Sequence, residues 1–226
     1  MAFTMSHLII GDRIGKALSE HIGRMPQFLL GGIAPDAAHY KENSPADAKK
    51  LTHLCVGPEH WDKITNCDAW EDNALLFLHT HFLQAHEDDP HRDFILGYVA
   101  HVLSDIVNNR VMWLPFLEQH PDAAEKGYVR QYIQESNAID TVLALTYARQ
   151  DAVWACLDRA VSVDLEGLLT ADEIEKQRAY ALRRRHLEVE LPDHASHRFV
   201  TYENTMAFIE ASIAHILPIA YRFFPS

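Results

Sequence analysis

Apolar residues recur every three to four positions along most of this chain, and alternation at every second position is nearly absent. That period belongs to helices that bury one face, because side chains three and four apart share a side of an α-helix. Ile10, Ile14, Ala17, Leu18 and His21 form one such face after a candidate cap at Ser6. Gly31, Gly32 and Pro35 then break the helix, and Ala34-Pro35-Asp36 opens a loop. An irregular connection is expected over 41–73, and helices over 72–85, 93–109, 126–149, 151–161, 171–185 and 202–223. The segment 93–109 carries Phe94, Ile95, Tyr98, Val99, Val102, Leu103 and Ile106, an apolar arc wide enough for a central helix. The segment 171–185 is strongly charged and reads as a solvated helix, and 187–191 is the only strand candidate. The expectation is an all-α fold: one multi-helix bundle domain over 1–226, with about seven helices.

Composition narrows the function. Acidic side chains number 32 against 20 basic ones, a formal charge of −12 with His neutral. Such a surface is unsuited to coating duplex nucleic acid or to anionic membranes. Three cysteines (Cys55, Cys67, Cys156) are too few and scattered for a disulfide framework, and without a CxxC pair they make no thiolate zinc ribbon. The N-terminus has no cationic-then-apolar leader, and the stretch 213–224 falls short of the roughly 20 apolar residues that span a bilayer. A cytoplasmic protein without a transmembrane segment is expected. The outlier is histidine, with 15 copies. Histidine is the commonest metal ligand and titrates near neutrality.

Ionisable groups on the apolar face of a helix are costly unless paired or metal-bound. His101 and Asp105 are the sharpest case: they sit one turn apart inside Gly97-Tyr98-Val99-Ala100-His101-Val102-Leu103-Ser104-Asp105. They can share a cation, or form a buried ion pair without one. His7 shares the face of Ile10 and Ile14, as a ligand or a satisfied core histidine. Asp36 follows Gly31 to Pro35 and is either presented by that turn or caps it. His53 lies in Leu51-Thr52-His53-Leu54 of the irregular stretch. Glu135 falls on the stripe of Tyr128, Tyr132 and Ile139, as an additional ligand or as a hydrogen-bond partner behind one, and Asp140 is one position off that stripe. His39, His60, His79, His81 and His86 are further candidates, with His79 and His86 toward the apolar side; His91, His120, His186, His194, His197 and His215 read as incidental. GxSxG, P-loop, GxGxxG and HExxH motifs are missing, as are a paired set of ExxH repeats and the contiguous His-Asp pair of an HD-like phosphohydrolase.

The ordered set His7, Gly32-Ile33-Ala34-Pro35-Asp36, Thr52-His53 and Gly97 to Asp105 resembles the zinc-dependent phospholipase C family. That family's all-α hydrolase fold is shared with fungal single-strand-specific nucleases. The likeness covers about the first 140 residues, and 132–140 is similar to a segment of short intracellular members. The resemblance implies one zinc held by Asp36, His53, His101 and Asp105, and a second held by His7 with Asp105 bridging. It also implies that Asp36 orients or deprotonates the attacking water, and that a metal-activated hydroxide hydrolyses a small-molecule or lipid phosphoester or phosphodiester. Two features depart from the family. Met1 does not match the processed N-terminal ligand, and the stretch 106–112 lacks the histidine expected at a third zinc, as does the position four before Glu135. One or two zinc ions are therefore expected, and Fe, Mn, Co and Ni suit the same donors. Arg110 is a nearby candidate for binding phosphate. The competing expectation from another class is a non-catalytic helical metal-binding or scaffold protein.

Overall fold

The computed structural model describes residues 3–41, 48–84, 89–186 and 190–224 and is built from helices. Ten α-helices occur among the described residues, with no strand beyond a single bridge between Leu165 and Leu169. The helices are α1 (Thr4–Ala17), α2 (Met25–Gly31), α3 (Ala48–Thr52), α4 (Cys67–Gln84), α5 (Pro90–Asn108), α6 (Leu114–Gln119), α7 (Tyr128–Thr146), α8 (Gln150–Asp158), α9 (Ala171–Arg183) and α10 (Tyr202–Tyr221). Three of them, α2, α3 and α6, go beyond the expected set. They have five to seven residues each, too few for a 3.6-residue period to declare itself.

Helix α5 is the axis. Asp89 caps it by accepting from the His91 amide, and Pro90 opens the first turn. From Phe94 to Val107 its apolar side chains are buried all round, against α1, α2, α4 and α10. The crossing with α2 is close because both partners offer glycine. A Cβ on Gly31 would stand 2.0 Å from the Phe94 carbonyl oxygen, and one on Gly97 1.9 Å from that of Phe28. No side chain fits there, so the backbones touch and α5 is locked in register with the turn after α2. Beyond α5 the chain widens into one π-helical turn, Asn109–Trp113, before α6 begins. This turn buries Asn109, which donates to the Ile64 carbonyl oxygen, and lets Trp113 reach a cavity.

The remaining differences have local causes. Helix α1 starts at Thr4 rather than after Ser6, since Asp140 accepts from the amides of Met5 and Ser6 and caps the helix from outside. Asp36 lies in a 3-10 helix, Ala34–Tyr40, instead of an open loop. Helix α9 keeps its charged outer face, yet buries Ile174, Gln177 and Ala181 against that 3-10 helix. Thr170 and Thr201 close capping boxes at the starts of α9 and α10. Of the proposed strand 187–191, residues 187–189 lie outside the described residues, and Glu190 and Leu191 are not in a strand. Among the described residues no helix is long and apolar enough to cross a membrane, and all three cysteines are free.

Candidate metal centre

Three helices and the 3-10 segment send His7 (α1), Asp36, His53 (just after α3), and His101 and Asp105 (α5) to one place. His101 Nε2 lies 3.3 Å from His53 Nε2. His53 Nε2 is 3.5 Å from Asp36 Oδ1 and 3.6 Å from Asp105 Oδ2. His7 Nε2 is 3.6 Å from Asp105 Oδ1, and its ring stacks on that of His101 with centroids 3.7 Å apart. The donors fall into two overlapping groups, His7-His101-Asp105 and Asp36-His53-His101, each within 4.8 Å and sharing His101. His101 and Asp105 stand 3.8 Å apart, beyond hydrogen-bond reach, so they are not the hydrogen-bonded pair that the i, i+4 spacing also allowed.

The hydrogen bonds behind the rings decide which nitrogen carries the proton. His101 Nδ1 is 2.9 Å from the Gly32 carbonyl oxygen, and His53 Nδ1 is 2.9 Å from that of Lys49. A carbonyl oxygen only accepts, so both Nδ1 atoms are protonated. His7 Nδ1 meets Ser104 Oγ at 2.9 Å, and that hydroxyl gives its one hydrogen to the His101 carbonyl oxygen. His7 must therefore donate as well. In its neutral form each ring turns an unprotonated Nε2 inward, and His7 Nε2 is buried without a hydrogen-bond partner. Two bare Nε2 atoms facing each other at 3.3 Å repel, and either a proton or a metal ion between them removes the repulsion. Two donors each about 2 Å from one ion at a tetrahedral angle are themselves about 3.3 Å apart. The donor set thus fits a divalent transition metal.

Burial lowers His7 to about 3 and His53 to about 4, which keeps these two rings neutral at pH 7. Burial alone would raise the two carboxyls. Lys49 and His53 outweigh it at Asp36, which stays well below the ordinary carboxylate range, and Asp105 also lies below its ordinary value through the charge that His7 and His101 carry when protonated.

The environment around His53 is rigid. Trp70 Nε1 donates to its carbonyl oxygen at 2.7 Å, and the Tyr98 hydroxyl donates to that of Thr52. Leu54 follows in a left-handed conformation, φ +57°, with its carbonyl oxygen held by Asn73. A side-chain-bearing residue adopts that conformation at a cost, which surrounding bonds offset here.

A cavity of about 660 Å³ opens beside the cluster, with Asp36 and Asp105 on its lining. Its walls are Tyr40, Trp61, Trp70, Trp113, Tyr132 and Tyr180, and its cations are Lys49 and Arg184. Lys49 is four residues before His53, a spacing on a helix that sequence reading could have used. Arg184 and Tyr180 lie at the end of the helix read as solvated.

Other candidates are placed elsewhere. Glu135 joins neither donor group and is corrected from additional ligand to latch. Its carboxylate accepts from the amides of Arg198, Phe199 and Val200 and from Gln131, which occupies it fully. Asp140 is buried; burial raises it to about 6 against the pull of Arg184, 2.9 Å away. Arg110 binds Glu71 and Asp68, away from the cavity. His79 and His81 are exposed, contrary to the apolar side read for His79. His39 and His60 line the cavity from exposed positions, and His86 lies outside the described residues. His215, read as incidental, stands 3.0 Å from Glu71.

Comparison with protein-family models, with curated proteins and with solved structures finds no match to this chain.

Proposed function

We propose that this chain is a metal-dependent phosphoric ester hydrolase with a phospholipase C/nuclease-like helical fold, as the motif resemblance implies. The observation that carries the proposal is the convergence of three inward Nε2 lone pairs and two carboxylates at the foot of an open cavity. Because His101 Nε2 has a single lone pair, it would serve one ion: Asp36, His53 and His101 would hold one divalent ion and His7 with Asp105 a second, zinc being among the metals that nitrogen and oxygen donors suit. Asp105 could serve both ions, since its Oδ1 faces His7 while its Oδ2 faces His53 and His101. When bound, such ions polarise phosphoryl oxygens and acidify water.

The protein's own groups supply the rest. Asp36 stays ionised and is 18% exposed, so its carboxylate can orient water and take its proton. The water oxygen joins phosphorus, the ester P–O bond breaks, and the leaving oxygen ends protonated. The aromatic walls exclude bulk water and receive the organic part of a phosphoester or phosphodiester. A closed, non-catalytic site would seal its donors from solvent space, whereas Asp36 and Asp105 line the cavity.

The test is elemental analysis of purified protein with a phosphomonoesterase and phosphodiesterase panel in added Zn²⁺, Mn²⁺ or Ni²⁺. One or two ions per chain and turnover of a phosphoester are expected. Metal without turnover of any phosphoester removes the hydrolase reading, and no metal removes the centre.

A further inference from the structure

Among the described residues, four side chains of fixed charge line the cavity: Asp36, Asp105, Lys49 and Arg184. Arg184 is held by Asp140 at 2.9 Å. Lys49 differs in having an acid partner that is also a donor of the metal cluster. Its Nζ lies 3.3 Å from Asp36 Oδ1 and 5.0 Å over the ring of Trp61, and its side chain is only 20% exposed. Its backbone carbonyl oxygen holds His53 Nδ1, so one residue both orients a histidine and sets a cation at the cavity floor.

We propose that Lys49 determines specificity, by anchoring an anionic oxygen of the ligand beside the donor cluster and excluding ligands with a cationic headgroup. The inference rests on the metal reading above. An ammonium this far out of water needs a counter-charge. Once a divalent ion engages the Asp36 carboxylate, that counter-charge is shared, and the surplus beside Lys49 is positive. The ligand then supplies the anion. Quaternary ammonium groups are recognised on aromatic faces, and here Lys49 stands over the face of Trp61, where it repels a second cation. The ligand class is therefore an anionic phosphoester with a neutral or further anionic organic part, sized for a cavity of about 660 Å³.

The experiment titrates inorganic phosphate, methyl phosphate and phosphocholine calorimetrically into zinc-loaded and chelator-stripped protein, for wild type, Lys49→Met, Lys49→Gln and Lys49→Arg. Zinc content and melting temperature are measured on each sample. Lys49→Met and Lys49→Gln are expected to weaken phosphate binding about tenfold or more, the loss of one charge-assisted contact, with zinc content unchanged. Lys49→Arg stays within about threefold of wild type because it keeps the charge. Wild type prefers methyl phosphate to phosphocholine, and Lys49→Met narrows that preference. Unchanged phosphate affinity in both neutral variants overturns the proposal, and so does loss of zinc in them, which would make Lys49 a support for Asp36 only. Wild-type protein that holds no zinc, yet loses phosphate binding with Lys49, would sink the metal reading and leave the anion site standing.

Discussion

His101→Ala removes the one donor that both groups share, leaving His7 with Asp105 in one and Asp36 with His53 in the other. Four-ligand zinc sites in small peptides contribute about 10–16 kcal/mol, roughly 3 to 4 kcal/mol per ligand. At 1.4 kcal/mol per factor of ten, the substitution weakens zinc affinity at the group that His101 serves by about a hundredfold to a thousandfold. The variant also strands the Gly32 carbonyl oxygen, at about 1–3 kcal/mol, and loses the stack with His7. Against this, it removes one of the two lone pairs that face each other at 3.3 Å. The variant should therefore lose much more melting temperature relative to wild type in excess zinc than in chelator. The assay is zinc stoichiometry after dialysis, thermal melts in both conditions, and circular dichroism to establish that the helices persist. Glu135→Gln serves as control: it strains the latch on residues 198–200 but keeps zinc. A folded His101→Ala protein with wild-type zinc affinity would refute the assignment of the shared donor.

Two further outcomes follow from the geometry. Gly97→Ala drives a Cβ to 1.9 Å from the Phe28 carbonyl oxygen, so α2 and α5 must part, costing about 1–3 kcal/mol or more in a urea melt and weakening zinc binding through Gly32; an unchanged urea midpoint would count against the close crossing. In metal-free protein, His7 and His53 lie below their unfolded value of 6.5, so the unfolded chain binds more protons between about pH 6.5 and 4 and stability falls as pH drops through that window. Asp140, raised to about 6, runs the other way because its ionised form costs the folded state; Asp140→Asn should steepen the profile, and urea midpoints that stay flat from pH 6.5 to 4 in both proteins would refute the buried neutral rings.

The long helices were legible because each repeats its apolar face over several turns. Helices α2, α3 and α6 were not, since one or two turns hold no period. The pairing of His101 with Asp105 on one face follows from i, i+4 spacing alone. Their meeting with His7, Asp36 and His53 depends on a glycine-to-glycine crossing between helices more than 60 residues apart in the chain, which no local pattern encodes. Only the resemblance of the ordered motifs grouped them beforehand. Glu135 was correctly read as buried, yet its partners are amides 63 to 65 residues away, in a segment without a motif. Lys49 went unread because the stretch around it lacked a periodic face.

Two of the three imidazoles take their orientation from main-chain oxygens, those of Gly32 and Lys49. Main-chain groups survive every point substitution that leaves the local path intact. The rings' inward aim is thus a property of the path and not of a neighbouring side chain's identity. Descendants of this sequence can exchange the tryptophans and tyrosines of the cavity, and so change what they accept, while the aim of those two nitrogens carries over.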